Sequence, residues 1–176
     1  MKKSIISSVI ALGLMGEAYA ANSNNTVIFH GAVSATTCEL VPSQNGQLLV
    51  DSTVYLGTVA PNAEGQSKEF VLKAKDANNA ACKALTAQNT ATVAWTSAFL
   101  NANGLLADPS SIANDAQVLL SSVNAKTPGA ITASANTADF TADKVIGEGL
   151  KFNAKAKGGT TPGTFQTAAS FSIAYK

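Results

Sequence analysis

The chain has 176 residues, a formal net charge of +1, a hydrophobic fraction of 46% and no arginine. That balance excludes a nucleic-acid surface, which needs clustered positive charge. The apolar content and the length fit one domain with a proper core.

The opening "MKKSIISSVIALGLMGEAYA" has a basic start at Lys2 and Lys3, an apolar run from Ile5 to Met15, and the small-x-small ending Ala18-Tyr19-Ala20. This is the pattern of a cleaved export signal over residues 1–20, and the run is too short to span a bilayer. Its removal leaves equal numbers of lysines and acids, so the remainder from Ala21 is neutral. "NTVIFHGAV" follows, with Val27, Phe29, Gly31 and Val33 on one face of an alternating strand and His30 on the other. A glycine on the apolar face of a strand marks close approach by another group. An apolar strand at a chain end, where most chains fray, needs a partner.

Cys38 and Cys82 are the only cysteines. In an exported chain an even count reads as a disulfide. A metal or redox pair is the weaker alternative, because the spacing is not C-x-x-C and His30 is the only histidine. "QLLVDSTVYLG" predicts a strand with Val50, Ser52, Val54 and Leu56 on one face, and "KEFVLKAK" another with Phe70, Leu72 and Ala74 inward. "ATVAWTS" and "QVLLSSV" are further short strands, and "ADPSSIANDAQ" suits a single helical turn opened by Asp108-Pro109. "TADFTAD", with Asp139 and Asp143, reads as a loop. "GLKFNAKAK" sets Leu150, Phe152, Ala154 and Ala156 inward, and "GTFQTAASFSIAYK" aligns Phe165, Thr167, Ala169, Phe171, Ile173 and Tyr175. Short strands separated by turn-rich stretches predict an all-β sandwich or barrel without a linker between domains.

No catalytic constellation emerges. A base, a nucleophile or a metal set is needed for chemistry. His30 stands alone, the loop acids Asp139 and Asp143 read as solvated rather than as a glycosidase pair, and "KGGTTPG" matches no phosphate-binding motif. Trp95 beside Val93 belongs in the core, with stacking on a sugar as the alternative. The chain reads as a non-enzyme without cofactor or metal.

Four features in order carry a resemblance: "TVIFHGAVSATTC", "VYLGTV", "FVLKAKDANNAAC" and "PGTFQTAASFSIAYK", in which Gly163 is fourteenth from the end and Tyr175 penultimate. Together they resemble the subunits of chaperone–usher fimbriae, the type 1 fimbrial pilin family, over the whole chain after the signal. The resemblance implies an incomplete immunoglobulin-like β-sandwich whose missing strand leaves a groove, filled by a donor strand from a neighbouring subunit. It makes residues 21–35 the donor strand and 36–176 the body. Val27, Phe29 and Val33, with Ala35 at the end, enter the neighbour's pockets, and Gly31 lies where the groove is shallow. It assigns Gly163, Phe171, Ile173 and Tyr175 to the groove and chaperone-binding edge, with the Lys176 carboxylate anchored by the chaperone. The implied protein is a structural, major subunit of a surface fimbria, polymerising head to tail and supporting attachment to host cells. Its implied partners are a periplasmic chaperone and an outer-membrane usher, and it is exported through the periplasm to the cell surface. The alternative is that the subunit itself is a glycan-binding adhesin.

Overall fold

The computed structural model describes residues 38–176. The expected signal segment, His30 and the donor residues Val27, Phe29, Gly31 and Val33 lie outside the described residues.

Eleven strands are present among the described residues: β1 (Leu40–Gln44), β2 (Gln47–Leu48), β3 (Lys68–Ala74), β4 (Thr90–Thr96), β5 (Leu100–Asn101), β6 (Gly104–Leu106), β7 (Gln117–Ser122), β8 (Ala130–Ile131), β9 (Thr137–Thr141), β10 (Leu150–Lys157) and β11 (Ser170–Tyr175). They form two antiparallel sheets. The larger runs β2-β1-β3-β10-β7-β6-β5, with β8 also on β7, and the smaller runs β11-β4-β9. The architecture is the incomplete immunoglobulin-like sandwich, with β11 at one border of the smaller sheet. One short helix, α1 (Ala80–Lys83), is capped by Asn79, whose side-chain oxygen accepts from the Ala81 N–H at 2.8 Å.

Alternation decides which face each strand buries. Phe70 and Leu72 of β3, Val93 and Trp95 of β4, and Leu150, Phe152 and Ala154 of β10 all point into the core. The sheets meet through aromatic contacts: Phe152 stacks on Phe70 at 5.7 Å and meets Trp95 at 5.2 Å and Phe140 at 5.4 Å edge-on. Such pairs contribute about 0.5–1.5 kcal/mol each beyond burial. Cys38 and Cys82 are disulfide-bonded, tying the start of β1 to α1.

Three expectations are corrected. The strand expected through "QLLVDSTVYLG" is broken after Leu48. A 3-10 turn intervenes at Val50–Ser52, where Asp51 and Ser52 take φ of 54° and 53°, a conformation no strand continues through. Val54 and Leu56 still pack on the core beyond the break. "TADFTAD" is not a loop: Thr137–Thr141 is β9, with Ala138 and Phe140 buried and Asp139 accepting from the Thr92 hydroxyl at 2.7 Å. "ADPSSIANDAQ" forms turns rather than a helical turn. There the Asp108 carboxylate accepts from the N–H and hydroxyl of Ser110, and the hydroxyl contact is the main reason its pKa is lowered.

Candidate functional site

Between residues 51–59 and 163–171 lies a cleft of about 1040 Å³. Its floor is hydrophobic core: Phe70, Leu72, Trp95, Leu105, Val118 and Leu120. Both walls are extended chain with unused backbone groups.

The first wall is the segment after the kink. Residues 53–59 make no backbone hydrogen bond among the described residues. Val54 and Leu56 face inward while Tyr55 is 82% exposed. Gly57 takes φ 79°, which switches the inward phase from Leu56 to the partly buried Val59.

The second wall is the C-terminal segment. Thr90 and Lys176 exchange both backbone bonds, Thr90 N–H to Lys176 O at 2.8 Å and Lys176 N–H to Thr90 O at 2.9 Å. Antiparallel pairing alternates, so the even-numbered residues of β11 bond to β4. The same side continues upstream. Gln166 O accepts from Asp108 N–H, Thr164 O from Ala113 N–H and Ala168 O from the Ser97 hydroxyl. The odd-numbered residues from Phe165 to Tyr175 therefore aim their N–H and C=O groups the other way, and none bonds among the described residues. At ~3.3 Å per residue this free edge runs about 33 Å.

The expected groove residues distribute as follows. Gly163 and Phe171 line the cleft. Ile173 and Tyr175 continue the inward row and pack on the core without lining the cleft. Phe171 meets Trp95 at 5.6 Å. The Tyr175 hydroxyl donates to Cys38 O at 3.1 Å, and burial raises its pKa to about 12. The exposed Lys176 closes the ladder with Thr90. Gly163 has φ 151° and abuts Ile112, leaving no room for a side chain. Trp95 is 6% exposed and belongs to the core, so the sugar-stacking alternative finds no free ring face. Trp95 Nε1 and Thr167 Oγ1 are buried at the cleft without a partner among the described residues.

A contact the sequence did not reveal fixes the end of the second wall. The Asp115 carboxylate accepts from Thr160 N–H at 2.6 Å, the Thr160 hydroxyl at 2.7 Å and Thr161 N–H at 3.3 Å. The Thr160 hydroxyl is the main cause of a lowered Asp115 pKa. A side chain at Gly159 would collide with that carboxylate, and the glycine pair in "KGGTTPG" was the available signal. Phe165 packs below on Ala107, Ala113 and Ala116. Backbone bonds from Asn62 N–H to Gly159 O and from Gly158 N–H to Ala63 O join the two walls at this end. No cluster of three or more metal-ligating side chains occurs among the described residues.

No family model matches the chain. It is 42% identical over 177 residues to the F107 fimbrial protein of Escherichia coli, spanning the whole of both chains. It is 28% identical over 188 residues to the K99 fimbrial protein of Escherichia coli, with 99% of each covered. A weaker likeness, at 16% identity and a TM-score of 0.44, extends over 86% of the chain to the whole P pilus rod subunit PapA. With the first of these relatives matched end to end, the chain belongs to the chaperone–usher fimbrial subunit family and is a structural subunit of a bacterial surface fimbria.

Proposed function

We propose that the cleft receives the N-terminal extension of another copy of this chain, inserted as a strand between residues 53–59 and β11. The observation that carries this reading is the pair of edges, unpaired among the described residues, that face each other across a cleft floored by core side chains. Open strand edges over an apolar floor invite pairing with an added strand. The face Val27, Phe29, Gly31, Val33 and Ala35 spans about 27 Å when extended, within the length of the free edge. Each large apolar side chain contributes about 1.5–3 kcal/mol on full burial. A slip by one residue would turn every apolar side chain outward, which fixes register.

On this reading residues 1–20 are removed on export and 21–35 serve the neighbour. A periplasmic chaperone holds the edge through Phe171, Ile173 and Tyr175 and anchors the Lys176 carboxylate until an outer-membrane usher exchanges it for the next extension. The fimbria supports attachment to host cells, and a host glycan is the class of receptor. The test is Phe29→Asp. The variant should fold and bind chaperone, yet fail to add to fresh subunits. Loss of the chaperone complex itself would show that Phe29 belongs to its own core, because an unpaired charge buried there would unfold the domain.

A further inference from the structure

Which body surfaces meet in the fimbria follows from where each extension starts. Cys38, at the root of the extension, accepts a hydrogen bond from Tyr175 at the C-terminal end of β11. Each extension therefore leaves its own body at the Tyr175 end of its own cleft. If it entered the neighbour's cleft from that same end, like ends would meet. Two copies could then exchange extensions reciprocally and close into a dimer. An open filament requires the opposite: the extension enters at the Gly163 end and runs antiparallel to β11.

Only Thr36 and Thr37 separate Ala35 from Cys38. Three residue steps span at most about 11 Å, so the donor's body must press against whatever surrounds the Gly163 end. The large apolar side chain exposed there is Ile112, 67% accessible and in contact with Gly163. Its loop is tied to the second wall by Asp108, Ser111 and Ala113, so it is presented at a fixed place. We infer that the surface around Ile112 is buried against the body of the next copy of this chain, forming a body-to-body contact beside the inserted strand.

This rests on the donor-strand reading, and the experiment separates the two. The mature chain carrying Ile112→Asp, held on its chaperone, is offered a synthetic peptide of residues 21–36 and, separately, wild-type chaperone–subunit complexes. Peptide capture should match wild type, while addition to full subunits should slow about tenfold or more, as expected for losing the burial of one large aliphatic group. Addition at the wild-type rate would overturn the inference. So would an equal loss of peptide capture, which would place Ile112 in the cleft wall rather than in a body contact. Failure of the wild-type subunit to capture peptide would overturn the donor-strand reading and the inference with it. A second variant reads geometry directly: with cysteines introduced by Thr36→Cys and Ile112→Cys, fibres should cross-link between neighbouring chains. Cross-linking between two different chains, one carrying Thr36→Cys alone and the other Ala174→Cys alone, would instead reverse the direction of insertion and overturn the inference.

Discussion

If the free edge of β11 is the acceptor, a copy of residues 25–35 appended after Lys176 through a short Asn-Gly turn should fold back into its own cleft. The turn returns the strand antiparallel to β11, along the odd-numbered backbone groups from Tyr175 toward Phe165. Full burial of Val27, Phe29 and Val33 contributes about 1.5–3 kcal/mol each, or about 5–9 kcal/mol together, before the new backbone ladder is counted. For a domain of this size each kcal/mol moves the melting midpoint by about 2–4 °C, so the gain should be about 10–35 °C. The control carries the same tail with its copy of Phe29 changed to Asp, which cannot seat in an apolar floor. Calorimetry compares the two chains, and electron microscopy and sedimentation follow their assembly. The intact tail should give a stable monomer that builds no fibres, because its cleft is already filled. Midpoints within about 2 °C of each other, or fibres from the chain with the intact tail, would refute the assignment of this edge as the acceptor.

Asp115→Asn should lower the melting midpoint at neutral pH by loosening the "KGGTTPG" turn. The Asp115 pKa is depressed in the folded state, so the stability it confers is whole above the ordinary carboxylate pKa and lost as pH falls through the folded value. The gap between wild type and Asp115→Asn, measured from pH 7 downward, should close across that acid range. Tyr175→Phe should remove a loss at the alkaline end: the folded phenol titrates at about 12 and the unfolded one near 10, so stability is whole below the lower value and falls as pH rises between them. Urea midpoints of the two chains from pH 8 to 12 would show it. Cys38→Ser opens a cross-link of sequence separation 44, worth about 4 kcal/mol in the chain-entropy model. The urea midpoint and the amount of subunit reaching the surface should both drop.

The strands that could be read from sequence are those in which large apolar residues alternate with charged ones, as in β3 and β10. β9 escaped because its inward residues, Ala138 and Phe140, include one small side chain, and its acid suggested solvent. Asp139 does face outward, but a half-exposed strand carries acids on its outer face as readily as a loop does. The break at Asp51 escaped for a different reason. Alternation through Val54 and Leu56 persists on both sides of the turn, and nothing in residue type forces Asp51 and Ser52 to positive φ. The cleft was legible only through family resemblance. Its walls lie more than a hundred residues apart, and no local pattern records that two strands leave a gap between them. Asp115 and its threonines were hidden for the same reason, since the contact joins two loops that are polar like any others.

The missing strand is nonetheless visible in burial. β10 and the C-terminal segment carry the same kind of alternating pattern. In β10 all four inward residues, Leu150, Phe152, Ala154 and Ala156, are buried. In the C-terminal segment all six, from Phe165 through Tyr175, remain only half-buried. Side-chain type does not separate the two sets, because each mixes aromatic, aliphatic and small residues. Neighbours do: among the described residues β10 is flanked by β3 and β7, whereas β11 has β4 on one side alone. The apolar face of the segment is therefore matched to a complete sheet that this body does not itself supply. A sequence selected for the isolated body would gain nothing from keeping Phe165, Phe171 and Ile173 on a face so poorly covered, and would lose solubility through it. Their presence is accounted for once the buried state of these residues is taken to be that of the fimbria, in which another chain covers them.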